Sequence, residues 1–399
     1  MRDSDAVRQG SSRSAPRPAP IDVPQAVLDD LAERLARTRW PEPSEGTGWD
    51  AGADVAYIRE LCEYWRDVYD WRAHEATLNR FPLMSYEVDG VVLHFWWVRG
   101  RGRRPMPLLL LHGWPGSIFE FHGLIEPLTD PGATGGDPGD SFDVVIPSLP
   151  GYGFGGHPGE PGWGVSRTAR AFHTLMTRLG YQRFGLQGGD WGSIIGHKLA
   201  ADHPESVLGL HLNLGLGRNH IDLDELEVRA TTEEERRVIA WRRAFDAEEF
   251  GYAVIQRTKP MTLGIAQADS PAGTAAWIVE KFRRWSDCDG DVESAFTRDT
   301  LLTNIMFYWA PNSIASAARL YYETFRDREM GHVRFVEAPT ALAVFPKESP
   351  VARMWMEERF NLQRWTEMPR GGHFPALEEP HLLLEDIRAF FRPLCETTR

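Results

Sequence analysis

The sequence predicts an α/β protein: a mostly parallel, eight-stranded sheet with a helical cap insertion and an N-terminal meander. Three observations carry this. Short, wholly apolar runs (MPLLLLHG, FDVVIPS, RFGLQGG, VLGLHLNLGL) are separated by helical stretches, the mark of parallel strands covered on both faces. The alternation breaks into a charged, aromatic, mostly helical block and then resumes with TALAVFP, RWTEMP and the helix EEPHLLLEDIRAFF. The 399 residues also exceed the roughly 250–300 at which one hydrophobic core stops growing.

Residues 1–20 are rich in Ser, Arg and Pro and lack an apolar signal core; disorder is expected there. Residues 21–100 hold a helical meander and the first hairpin. Val27, Leu28, Leu31 and Leu35 repeat at helical spacing, and residues 53–81 repeat the pattern. The alternation in MSYEVDGVVLHFWWVRG turns at Asp89-Gly90, a strong two-residue hairpin signal. Residues 101–217 are assigned to the first part of the core, 218–330 to the helical cap, and 331–399 to the rest of the core. The Arg99, Arg101, Arg103, Arg104 cluster reads as a solvated loop or as an anion site, and a short patch favours the loop.

Composition removes whole classes of function. With 44 basic and 57 acidic side chains the formal charge is −13, which disfavours a nucleic-acid binder. No apolar run is long enough to span a bilayer. Cys62, Cys288 and Cys395 are sparse and odd in number, so no disulfide framework is implied and a reducing cytoplasm is expected. The thirteen His show no metal-ligand spacing such as HExxH, so no metal or other cofactor is expected. The 15 Trp point to aromatic pockets or interfaces.

The sharpest motif is GLQGGDWGS. Gly188-Gly189-Asp190-Trp191-Gly192 follows an apolar strand and opens a helix, the form of a nucleophile elbow. The bland alternative is a Gly-rich turn with an N-capping Asp. A carboxylate nucleophile is ionised at neutral pH without a partner base. Its attack on an ester or amide would give an uphill anhydride. Attack on an sp³ carbon bearing a strained or good leaving group gives a stable ester. That chemistry suits an epoxide or an alkyl halide.

Hydrolysing such an ester requires an oxyanion hole and a base. HGWPGS places His112-Gly113-Trp114-Pro115 at a strand end, and the backbone N–H groups of Trp114 and Trp191 are the candidate donors. His373 follows Gly371-Gly372 just before the last helix, where the chain order nucleophile, acid, histidine puts the base. The acid is expected after the sixth or seventh strand. The sixth offers none close to its end, and the seventh offers Glu348 in FPKES. Glu348 would accept from His373 Nδ1; the alternative is an ordinary acid before the following helix.

Taken together, IDVPQAVLDDLAERLARTRWP, HGWPGS, PSLPGYGFG, GGDWGS, GYAVIQRTKP, SPAGTAAWIVEKFRRW, LLTNIMFYW, ARLYYE and RGGHFPALEEP resemble the microsomal-type epoxide hydrolases of the α/β-hydrolase fold, from about residue 21 to the C-terminus. The resemblance implies conversion of an epoxide and water to a vicinal diol, without cofactor or metal, in a detoxification-type reaction. It implies two cap tyrosines that protonate the departing oxygen, matched here by Tyr252 and Tyr321. Tyr322 lies about 100° round the same helix, so only one of the pair can face the site. It also supports Glu348 as the acid. The relatives that give the branch its name carry a membrane anchor; the polar N-terminus here departs from that, and a cytoplasmic protein is expected. Two alternatives stand beside this. A haloalkane-type dehalogenase shares the Asp elbow, base and acid, but a halide needs no tyrosine acids. A catalytically silent α/β-hydrolase used for binding would not need an intact Asp190, His373 and Glu348. The sequence leaves a homo-oligomer open.

Overall fold

The structure is a computed structural model and describes residues 15–42, 46–216, 222–331 and 334–397. Its strands are β1 (Arg17–Pro18), β2 (Leu83–Val88), β3 (Val91–Val98), β4 (Met106–Leu111), β5 (Phe142–Pro147), β6 (Phe184–Gly188), β7 (Val207–Leu212), β8 (Val336–Val344) and β9 (Phe360–Glu367). They form one sheet in the order β1-β2-β3-β5-β4-β6-β7-β8-β9. Pairing is antiparallel from β1 through β2 and β3 to β5, and parallel from β5 across to β9. The expected eight strands are present, and two residues near the N-terminus add a ninth.

That short strand corrects part of the disorder expected for residues 1–20. Residues 1–14 lie outside the described residues. Over 15–20 the chain is tied to the sheet: Arg17 pairs with Ser85 and Pro18 with Met84, Ala19 N–H donates to Leu83 O, and Ala19 O lies 2.7 Å from His94 Nε2. The β2–β3 turn has positive φ at both Asp89 (52°) and Gly90 (78°), the two-residue geometry that matches strand twist.

Leu108 to Leu111 of β4 have no exposed surface, as a strand covered on both faces requires. Three helices precede the hairpin: α1 (Gln25–Ala36), α2 (Val55–Asp67) and α3 (Trp71–Leu78). Glu75 fastens this region, accepting from Val23 N (2.7 Å), Trp71 Nε1 (3.0 Å) and Arg72 Nη1 (2.6 Å). Core helices α4 (His122–Thr129), α5 (Val165–Arg178) and α6 (Asp190–Asp202) follow the first strands. Two of the four arginines of the basic cluster form ion pairs at the surface: Arg99 meets Asp143 at 3.0 Å and Arg101 meets Asp130 at 2.9 Å.

Between β7 and β8 the chain is helical: α7 (Leu223–Arg229), α8 (Glu233–Glu248), α9 (Gly251–Thr258), α10 (Pro260–Asp269), α11 (Pro271–Trp285), α12 (Val292–Ala295), α13 (Arg298–Trp309) and α14 (Ile314–Thr324). Every residue of α13 from Leu301 to Trp309 is buried, so α13 is a helix enclosed on all sides. The N-terminal helices brace it: Tyr64 OH donates to Asp299 Oδ1 at 2.8 Å and Tyr69 OH lies 2.9 Å from Thr303 Oγ1. The chain closes with α15 (Arg353–Glu357), α16 (Pro375–Glu378) and α17 (Pro380–Thr397). No helix among the described residues is long and apolar enough to cross a membrane.

Candidate active site

The site is built on the sharp turn from β6 into α6. Asp190 has φ 47°, a left-handed conformation that costs about 1 kcal/mol or more outside glycine and is least unfavourable for Asn and Asp. The turn needs its glycines. A Cβ on Gly192 would lie 2.0 Å from Leu111 O, and one on Gly188 would lie 2.5 Å from Gly192 C. The strand, the turn and the helix therefore pack at backbone contact, and the Asp190 side chain is lifted off the strand end.

The β4–α4 loop meets that carboxylate. Trp114 N–H donates to Asp190 Oδ1 at 2.8 Å, and the Trp114-Pro115 peptide is cis. A Cβ on Gly113 would fall 2.0 Å from Asp190 Oδ1, which is why the position takes no side chain. His112 holds the loop from below. Its Nε2 accepts from Leu149 N at 3.1 Å while Nδ1 lies 3.0 Å from Gly113 O, and burial pushes its pKa down to about 4. The Trp191 amide, the other candidate donor, sits in the first turn of α6, where amides lack acceptors within the helix.

Helix α13 grips the same loop from the cap side. Asn304 Nδ2 donates to Pro115 O and Ser117 Oγ donates to Asn304 Oδ1, both at 2.8 Å, and Tyr308 OH donates to Gly116 O at 2.5 Å. These contacts were not read from the sequence. The legible signal was a polar residue, Asn304, inside the apolar helix LLTNIMFYW.

The structure brings His373 and Glu348 together with Asp190. His373 Nε2 is 3.5 Å from Asp190 Oδ2, and His373 Nδ1 is 2.7 Å from Glu348 Oε2. The other Glu348 oxygen accepts from Ser349 N at 2.5 Å. Burial works against a charged imidazole, but Glu348 and Asp190 outweigh it and hold His373 well above its ordinary value. The histidine loop is sewn to the end of α11. His373 N–H donates to Trp285 O at 2.9 Å, and Gly371 N–H to Asp287 Oδ2 at 2.9 Å. Glu378 completes the stitch, accepting from Asp287 N at 2.7 Å and Phe374 N at 2.8 Å. A Cβ on Gly372 would meet Trp285 O at 2.5 Å.

The two tyrosines also come to the site. Tyr252 on α9 stacks on Trp114 with ring centroids 4.8 Å apart and planes at 9°. Tyr321 on α14 stands edge-on to Trp191 at 4.6 Å and to Tyr252 at 6.0 Å. Burial, reinforced by nearby carboxylates, raises both phenols, so both remain protonated donors. Tyr322 turns away to stack under Arg326, with the guanidinium carbon 3.6 Å from its ring. Trp277 and Trp285 stand edge-on to Trp114 at 6.5 and 6.0 Å. Four of the tryptophans thus wall one aromatic site.

For metals, the described residues offer one group of three ligand-type side chains within 4.8 Å, His173, His203 and Glu205. The two rings are stacked at 3.7 Å and parallel within 2°. Their in-plane lone pairs run side by side rather than to one point.

The chain is similar to known proteins over most of its length. Residues 16–121 match the family model for the epoxide hydrolase N terminus, and residues 106–288 match that for the alpha/beta hydrolase fold. Epoxide hydrolase 1 of Oryctolagus cuniculus is 39% identical over 400 residues, covering 94% of this chain and 88% of that protein. The crystal structure of juvenile hormone epoxide hydrolase from the silkworm Bombyx mori superposes with a TM-score of 0.89 at 30% identity, covering 96% of each chain. Aspergillus niger epoxide hydrolase follows with a TM-score of 0.82 at 30% identity, covering 96% of this chain and 98% of that one. The matches span the N-terminal region and nearly the whole chain, and they place it in one family: this chain belongs to the epoxide hydrolases of the α/β-hydrolase fold.

Proposed function

We propose that the chain hydrolyses an apolar epoxide to a vicinal diol through a covalent ester on Asp190. The observation that supports this most is the bracketing of one carboxylate: Trp114 N–H on Oδ1, His373 near Oδ2, and the Tyr252 and Tyr321 rings in the aromatic wall that includes Trp114. In the first step Asp190 Oδ2 bonds to an oxirane carbon, the C–O bond to the ring oxygen breaks, and Tyr252 or Tyr321 gives that oxygen its proton. An alkoxide is a far more basic leaving group than a halide, so two protonated phenols favour an epoxide over a haloalkane.

In the second step water adds to the Asp190 carboxyl carbon and passes a proton to His373 Nε2. The oxyanion forms at Oδ1 beside the Trp114 amide, with the Trp191 amide as second donor. Collapse breaks the bond to the diol oxygen, which takes the proton back from His373, and the proton left on the Asp190 carboxyl then passes to Nε2, restoring the resting pair. Charge times the base. While Asp190 is ionised it helps hold His373 protonated; forming the ester removes that charge, and the Nε2 proton passes to the tyrosinate left by the first step, restoring the phenol and freeing Nε2 as the base. Glu348 keeps the tautomer and orientation. No metal or cofactor enters these steps.

The test is one turnover of styrene oxide with enzyme in excess in ¹⁸O-water. The first diol carries unlabelled oxygen from Asp190, and the label enters the Asp190 carboxylate. Label in the first diol overturns the ester mechanism.

A further inference from the structure

Behind the reacting carboxylate lies a small cavity whose walls include Asp190, His373, Asn213, Gly116 and Glu120. Neither Tyr252 nor Tyr321 lines it. It has room for about one water. Glu120 is a carboxyl 9% exposed on the short turn Ile118–Phe121 after the oxyanion loop. Among the described residues it forms no ion pair. Its Oε1 occupies the space over Gly116, where a Cβ would fall 1.4 Å from it. The glycine that lets the oxyanion loop turn therefore also makes room for this carboxyl.

A buried acid with no cation partner costs stability, so a purely structural position would more economically hold an apolar side chain. Burial pushes the Glu120 carboxyl up to about 8; the Asp190 charge adds to this, while His373 and the Ser117 backbone oppose it. At neutral pH the group is thus largely neutral, with a carbonyl oxygen able to accept and no charge to repel Asp190.

We infer that Glu120 positions the hydrolytic water: its carbonyl oxygen accepts one hydrogen of the water whose other proton goes to His373 Nε2. This rests on the covalent Asp190 mechanism and adds the side from which water reaches the ester carbon. The alkyl group lies among the aromatic rings, and the water comes from the cavity shared by Glu120 and His373. The bonds made and broken are those of the second step above; Glu120 itself neither gains nor loses a proton.

The experiment separates the two steps with styrene oxide by rapid quench and intact-protein mass spectrometry. Glu120→Ala should form the Asp190 adduct within about threefold of the wild-type rate and hydrolyse it about 10²-fold more slowly, so that adduct accumulates. Glu120→Asp, a smaller perturbation that retracts the carboxyl by one methylene, should show the same split at about tenfold. Glu120→Gln keeps a neutral carbonyl acceptor and should hydrolyse its adduct at least tenfold faster than Glu120→Ala. Wild-type hydrolysis rates in both Glu120→Ala and Glu120→Asp overturn the inference. So does equal slowing of both steps, or a Gln variant as slow as Ala. An absence of any Asp190 adduct, even in His373→Gln, is a different result and removes the covalent mechanism itself.

Discussion

Glu348 and His373 stand 25 residues apart in the chain and meet through a 2.7 Å contact at Nδ1. That contact leaves Nε2 facing Asp190 and binds an imidazole that burial alone would strip of its proton. Glu348→Gln removes the charge and half of the acceptor capacity. Hydrolysis of the Asp190 ester should slow by up to about 10⁴, the loss seen when a triad carboxylate becomes an amide, with ester formation little changed. Rapid-quench mass spectrometry should show adduct as the resting species; a turnover rate equal to wild type would remove Glu348 from this role.

The tyrosines act only on the first step. Tyr252→Phe and Tyr321→Phe should each slow alkylation, and the double variant should slow it by about 10²–10⁴, the usual contribution of a positioned acid. Adduct hydrolysis should be unaffected. Stopped-flow tryptophan fluorescence suits the measurement, because Trp114 and Trp191 touch these rings. A double variant with undiminished alkylation would exclude the acid role.

His373 is raised by two carboxylates and lowered by burial. Removing the Asp190 charge should bring its pKa down. In Asp190→Asn, an NMR titration of the His373 ring should find a lower pKa than in wild type. Single-turnover ester hydrolysis should rise with pH until His373 is deprotonated and then level. No change between the two proteins would mean that Asp190 does not govern the base.

Asn304 and Tyr308 fix the oxyanion loop without touching it at Trp114. Asn304→Ala removes the acceptor of the Ser117 hydroxyl and the donor to Pro115 O in a buried place, at a cost of about 1–3 kcal/mol. Denaturant unfolding should show that loss, and both chemical steps should slow because both use the loop. Wild-type kinetics in Asn304→Ala would show that the loop holds itself.

Away from the site, Asp386 is buried with His211, Arg364 and Thr366. Burial alone would raise its carboxyl, but these partners win and bring it down to about 2 from 3.8. A depressed carboxylate stabilises the fold above its unfolded value and loses that contribution as pH falls. The shift corresponds to about 2 kcal/mol. The stability gap between wild type and Asp386→Asn should be constant from pH 7 to 5 and shrink between pH 4 and 2. A gap that widens on acidification would contradict the assignment.

Much of this was legible in the sequence because local pattern and local geometry coincide there. The elbow announces itself through glycines that backbone contact demands, and the hairpin through Asp89-Gly90. Glu348 was legible by its place after a strand and by resemblance, and the tyrosines only by resemblance, since nothing in GYAVIQ or ARLYYE says which ring points inward. Glu120, Asn304 and Tyr308 were missed for a different reason. Their partners lie on the loop at 113–117, near in sequence to one and nearly two hundred residues from the others. A buried acid beside glycine, or an amide in an apolar helix, carries meaning only once the loop it meets is known. Residues 15–20 were misjudged because a two-residue strand has no periodicity to detect.

The grip of α13 on Pro115, Gly116 and Ser117 bears on how the protein is lost to heat and how its parts could be exchanged. The donor that would steady the oxyanion depends on hydrogen bonds from the inserted helices, and those helices lean in turn on the N-terminal ones through Tyr64 and Tyr69. The insertion is therefore not a detachable module. A graft that swaps α7–α14 for a relative's must bring a matching amide and phenol or leave the loop unheld, and thermal inactivation should coincide with global unfolding rather than precede it.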